Sequence, residues 1–152
     1  MIKKFTFILC FLFLTNCGFT PIHNSKNNLG IFIESIDFQN GDRNINILIE
    51  NNLKRYQQNK FDNGYKIEAN TNYEKKIIAK DETGAASKYK LEASVIFLVE
   101  KENVIKKFQF VETLTIDRIS DDFDSKQYEE TIKKNFANKF TNDLILKISQ
   151  LQ

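Results

Sequence analysis

Residues Lys88 to Glu100 carry the clearest alternation in the chain, placing Tyr89, Leu91, Ala93, Val95, Phe97 and Val99 on one side and Lys90, Glu92 and Ser94 on the other. A period of two over that length predicts a β-strand with one greasy face, and that face must be covered by another part of the chain. Ile96 and Leu98 make the far end apolar on both sides. Lys101-Glu102-Asn103 has the length of a three-residue hairpin turn, in which Asn103 accepts the left-handed conformation. The returning strand carries Val104, Phe108, Phe110, Leu114 and Ile116 inward. Lys106 and Glu112 interrupt that face, as charges do on an edge strand that must avoid pairing with strangers.

Two segments have the helical spacing that can supply the cover. Tyr128, Ile132, Phe136, Phe140, Leu144, Ile148 and Leu151 form a ridge behind the acidic start Asp121-Asp122-Phe123-Asp124, where Asp124 and Gln127 have capping-box spacing. Ile45, Leu48, Ile49, Leu53 and Tyr56 form a second, shorter stripe of about four turns, capped by Asp42 or Asn44. Packing of this stripe on its own sheet is favoured over a groove helix for a partner, because tertiary burial is what stabilises a helix of this length. Before it, Leu29 to Phe38 reads as a first strand with both faces partly covered. After it, Gly64 opens a long strand with Tyr65, Ile67, Ala69, Thr71, Tyr73, Ile77 and Ala79 against Lys66, Glu68, Asn70, Asn72 and Glu74, with a bulge or twist expected between Thr71 and Lys75. Lys80 to Ser87 is a small-residue connection with Gly84 at its turn. The expected fold is α+β: two amphipathic helices on one face of a four-stranded, mainly antiparallel sheet, in the order β-α-β-β-β-α.

The N-terminus states a destination. Lys3 and Lys4 precede the uncharged run Phe5 to Leu14, which ends in Leu14-Thr15-Asn16-Cys17. This is the pattern of an export signal, and the run is too short to cross a bilayer core of about 30 Å. The ending resembles the lipobox of bacterial lipoproteins, in which the cysteine is lipidated and becomes the first mature residue; Asn16 stands where that motif usually has a smaller residue. An ordinary cleaved signal that leaves Cys17 as a free thiol is the alternative. Residues 1–16 are thus expected to be a signal peptide, 17–28 a lipidated cysteine and tether holding Pro21 and His23, and 29–152 one α+β domain. Cys10 would leave with the signal, so the mature chain would have no internal disulfide. Several acyl chains make a stable anchor where a single one does not.

Chemistry is sparse. The signal removes two lysines from 22 basic and 20 acidic residues, and a balanced surface argues against a nucleic-acid partner. His23 is the only histidine, so neither a histidine triad nor a common zinc site can be assembled. Asp121, Asp122 and Asp124 lack the spacing of a calcium loop and read as helix-capping acids. There is no phosphate-binding glycine loop and no nucleophile elbow. No enzyme activity, no cofactor and no metal site are expected.

Cys17-Gly18-Phe19-Thr20-Pro21, the run Thr83-Gly84-Ala85-Ala86-Ser87-Lys88-Tyr89-Lys90-Leu91, the Phe-rich hairpin and the closing helix together resemble the lipopolysaccharide-assembly lipoprotein family, LptE. That resemblance implies a plug inside the outer-membrane β-barrel LptD, supporting barrel assembly and delivery of lipopolysaccharide to the outer leaflet. Gly18 after the cysteine, where Asp resembles the inner-membrane retention signal, implies the periplasmic side of the outer membrane. In the family a basic residue follows the small-residue turn. Lys88 matches it, flanked by Lys80 and Lys90, so these three are candidate contacts for lipopolysaccharide phosphates, or else solvated strand-end lysines. A free-standing lipoprotein that binds a periplasmic ligand or tethers envelope components is the alternative function.

Overall fold

The computed structural model describes residues 30–57 and 63–151. The predicted signal, Cys17 and the tether lie outside the described residues. Strand β1 (Ile33–Asn40) leads into helix α1 (Arg43–Leu53), which a 3-10 turn (Lys54–Tyr56) extends. Strands β2 (Tyr65–Lys80), β3 (Ala86–Lys101) and β4 (Val104–Asp117) follow, and helix α2 (Asp122–Ser149) closes the chain. The sheet order is β1-β2-β3-β4, with β1 parallel to β2 and the other pairs antiparallel. The fold is the expected α+β architecture in the expected element order.

Both helices lie on one face. Ile45, Ile49 and Leu53 of α1, with Tyr56 beyond it, meet Ile33, Tyr65, Ile67 and Ala69 in the same buried cluster as Leu91, Ala93, Val95, Phe97 and Val99 of β3. The α2 ridge contributes Ile132, Phe136, Phe140, Leu144 and Ile148, widened by Ala137, Thr141 and Ile145. Tyr128 is a correction: it is exposed, because a strict four-residue series drifts about 40° per step around an α-helix and has left the buried face at Tyr128, where Glu129 faces Tyr73 instead. Leu151, just beyond the helix, is only partly buried.

The turns depart from expectation in instructive ways. Glu102 and Asn103 both have positive φ, 51° and 64°, and Lys101 pairs directly with Val104. The hairpin therefore closes with two residues rather than three, in the mirror-image turn whose twist matches that of the flanking strands. Pairing runs unbroken from Thr71 through Lys75, and the irregularity of β2 falls instead between Ile77 and Lys80, next to the loop. Lys75 consequently sits on the helix-bearing face. Asp42 caps α1 with Oδ1 accepting from Ile45 N at 3.0 Å. Asp121, not Asp124, caps α2, accepting from Phe123 N and Asp124 N at 2.8 and 2.9 Å. One aspartate there satisfies two amide groups that the helix leaves unpaired.

The β1–α1 corner rests on β2. Gly41 has φ +119°, and a Cβ there would lie 2.1 Å from the Thr71 carbonyl oxygen. Thr71 is itself buried and donates its hydroxyl to Asn46 Oδ1 at 2.5 Å. Gly84 also has positive φ, but nothing lies within 4 Å of its would-be Cβ. Gly41→Ala should therefore destabilise the domain by roughly 2 to 4 kcal/mol, since strain and steric clash add, against about 1 kcal/mol for Gly84→Ala, where strain acts alone. Urea midpoints of the two variants test this, and equal losses would refute the close approach.

Candidate functional site

The sequence singled out Lys80, Lys88 and Lys90, and the β2–β3 loop brings them to one end of the sheet. Asp81 organises that loop: its Oδ1 accepts from Thr83 N at 2.9 Å, Thr83 Oγ1 at 2.6 Å and Ala85 N at 3.0 Å. Those bonds hold the Asp81 carboxyl below the usual carboxylate range, the Thr83 hydroxyl contributing most. Lys88 and Lys90 alternate with the inward Tyr89 and Leu91, so they stand on the helix-free face of the sheet. Lys90 is opposite Lys76 across the β2–β3 pair, and Glu92 is opposite Glu74.

Each of the two strand lysines has an acid beside it. Lys88 Nζ lies 3.4 Å from Asp117 Oδ1 on β4, with about half of its side chain exposed. Lys90 Nζ lies 2.7 Å from Glu92 Oε2, and Lys76 pairs with Glu74. Lys80 forms no ion pair among the described residues. The patch is thus a lattice of alternating charge rather than a field of one sign. A phosphate bound there would displace exposed carboxylates whose pairing is worth at most about 1 kcal/mol each in water.

Sequence reasoning missed a second polar cluster, between the helices and the sheet. Lys133 of α2 donates to Asp42 Oδ2 at 2.7 Å, while the other oxygen of Asp42 caps α1. The Lys133 side chain is only 12 % exposed, and its ammonium lies 4.1 Å from the centre of the Tyr73 ring. The Tyr73 hydroxyl donates to Glu129 Oε1 at 2.9 Å, and Glu129 Oε2 accepts from Lys75 at 2.8 Å. Lys75 in turn covers the Tyr89 ring at 4.7 Å. Burial opposes ionisation of Asp42, yet Lys133 and the α1 amides together hold its carboxyl below the usual range. Glu129 behaves likewise, with Lys75 and Tyr73 outweighing its burial. Burial and the Glu129 carboxylate push the Tyr73 phenol upward. Each member has a partner, so the cluster joins α1, α2 and β2. Beside it, a groove of about 510 Å³ between the helices is lined by Asn44, Ile47, Leu48, Thr131 and Lys134.

No protein-family model matches the sequence. No curated protein matches it either. Solved structures do share its fold. Rare lipoprotein B from Shewanella oneidensis superposes with a TM-score of 0.57 at 11% identity, covering 77% of this chain and 98% of that one. A minor lipoprotein from Acinetobacter baumannii gives 0.54 at 10% identity, covering 74% and 90%. A lipoprotein B from Nitrosomonas europaea gives 0.52 at 14% identity, covering 80% and 85%. At these identities the likeness establishes a common fold.

The polar cluster makes a pH prediction. Asp42 and Glu129 titrate lower in the folded than in the unfolded chain, so their contribution is fully present above the unfolded value near 4. It is lost as pH falls through the folded values. Lys133→Met should cost about 1 to 3 kcal/mol at pH 7, because it strands the Asp42 carboxylate. That deficit should shrink below about pH 4 as Asp42 is protonated. Urea unfolding at several pH values checks this; a deficit independent of pH would mean that Lys133 contributes only packing.

Proposed function

We propose that this chain is an outer-membrane lipoprotein, anchored through Cys17 on the periplasmic side. In this reading it plugs an LptD-like β-barrel and supports barrel assembly and the delivery of lipopolysaccharide to the outer leaflet, a non-enzymatic role. The observation that carries the reading is the likeness of the fold to structures of bacterial lipoproteins along nearly their whole length, in a chain that begins with a lipobox-like motif.

The surface supports it physically. A body seated in a wide polar lumen must present mixed charge and hydrogen-bonding groups rather than one large apolar face. The helix-free face meets that demand along β2, where Lys66, Glu68, Asn70, Asn72, Glu74 and Lys76 stand in succession. The β2–β3 end supplies the lysines. Lys80, Lys88 and Lys90 are assigned to lipopolysaccharide phosphates, with Lys80 the readiest because it has no acid partner to exchange among the described residues.

Purification of the C-terminally tagged full-length protein from detergent-solubilised outer membranes should recover an LptD-like barrel at about equal stoichiometry by mass spectrometry. Recovery of the anchored protein without any barrel would leave the free-standing lipoprotein as the better account. Within the complex, Lys88→Glu combined with Lys90→Glu should weaken lipopolysaccharide binding several-fold while the thermal midpoint stays within a few degrees, since exposed ion pairs contribute little to stability. Unchanged binding would remove those lysines from the site.

A further inference from the structure

The opposite end of the sheet carries a surface of different character. At the β3–β4 turn, Val104 and Ile105 are 56% and 64% exposed. Consecutive strand residues point to opposite faces, so this tip is greasy on both sides. Lys101 precedes the turn, and Lys106 and Lys107 follow the apolar pair. None of these three forms an ion pair among the described residues. The neighbouring acids are Glu102 in the turn and Glu100, which sits opposite Ile105 on β4 and Lys66 on β2.

The chain also enters the domain at this end. The Phe32 carbonyl accepts from Tyr65 N at 2.8 Å, Ile33 pairs with Tyr65, and the Lys101 ammonium lies 4.7 Å from the centre of the Tyr65 ring. Leu151, at the end of the closing helix, borders the same shallow depression as Tyr65, Val104 and Lys106. Only residues 18–29 separate Cys17 from the first described residue, a length that reaches at most about 40 Å when fully drawn out. A lipid on Cys17 would hold the chain's entry point, at this end of the sheet, within that reach of the membrane.

We propose that the β3–β4 hairpin tip docks on the anionic lipid surface that holds the anchor. Val104 and Ile105 enter the interfacial layer, and Lys101, Lys106 and Lys107 meet the lipid phosphates. This placement rests on the reading that Cys17 is lipidated. Aliphatic side chains flanked by lysines suit the boundary between acyl chains and headgroups, where the apolar part is buried and the ammonium groups stay hydrated. The anchor raises the effective concentration of membrane at the hairpin, so three cations and two aliphatic side chains suffice where they would not hold a free protein.

The test uses the full-length protein, expressed with its own signal and reconstituted into phosphatidylethanolamine–phosphatidylglycerol vesicles at about three to one. An environment-sensitive fluorophore is attached through Ile105→Cys in one variant and through Thr83→Cys, in the β2–β3 loop, in the other. Lipids brominated along the acyl chain should quench the Ile105→Cys label at least twofold more than the Thr83→Cys label. Adding Lys101→Glu, Lys106→Glu and Lys107→Glu, or raising salt to about 0.5 M, should remove most of that difference. Equal quenching of the two labels would overturn the proposal. So would a blue-shifted Ile105→Cys label that bromine does not quench, because the tip would then lie against protein. The mass of the N-terminal peptide reports acylation of Cys17 separately, so a missing anchor and a hairpin that ignores lipid are distinguishable results.

Discussion

The structure depends on one-sided coverage of a single sheet. Phe97 and Phe140 are fully buried, as are Val95, Leu144 and Ile148, and these side chains bring the α2 ridge down onto the centre of β3. Burying each such side chain contributes about 1.5 to 3 kcal/mol, so these five residues alone supply a substantial apolar term. Everything else arranges itself around that contact. Helix α1 fills the remaining width over β1 and β2, while β4 keeps only Ile116 buried and leaves Phe108 and Phe110 half-covered. Lys139 of α2 reaches Glu112 on β4 at 2.6 Å, an exposed link where apolar cover has run out.

This dependence explains what the sequence made legible. Covering one face forces a period of two on β3 and a period near 3.6 on both helices, and both periods stand in the sequence unaided. Element order, the inward residues Leu91 to Val99 and the ridge from Ile132 to Ile148 could therefore be read directly. Departures occur where local geometry rather than periodicity decides. Tyr128 continues the four-residue ridge, but such a series drifts around a helix of 3.6 residues per turn and has left the buried face at that point. Glu102 adopts a positive φ that its residue type does not favour, so the two-residue turn had no compositional signal beyond Asn103. Asp121 and Asp124 are equally plausible caps by composition, and only the entry angle of the chain into α2 selects between them.

The Asp42–Lys133 pair shows the limit most clearly. The two residues meet across 91 positions because two amphipathic helices share one sheet face. Asp42 was identifiable as a cap because capping is local. Its second bond was not, because it depends on where α2 crosses α1. The candidate lysines fall between these cases: β-alternation placed Lys88, Lys90 and Glu92 on one face, but the pairing of Lys88 with Asp117 follows from strand register.

The fold then gives the molecule two unlike ends, because β2, β3 and β4 outrun β1. β1 stops opposite Asn70, whereas β2 continues to Lys80, so the β2–β3 hairpin projects beyond the first strand. That projection carries paired charge and a loop tied together by Asp81. At the other end the chain enters, the closing helix finishes, and the tight β3–β4 turn presents aliphatic residues between lysines without acid partners among the described residues. The first described strand therefore starts beside the aliphatic turn and not beside the β2–β3 loop. The polar β2–β3 hairpin lies at the opposite end of the sheet from that entry point. The two ends thus differ in character because of strand length and the point of chain entry rather than because of any single residue.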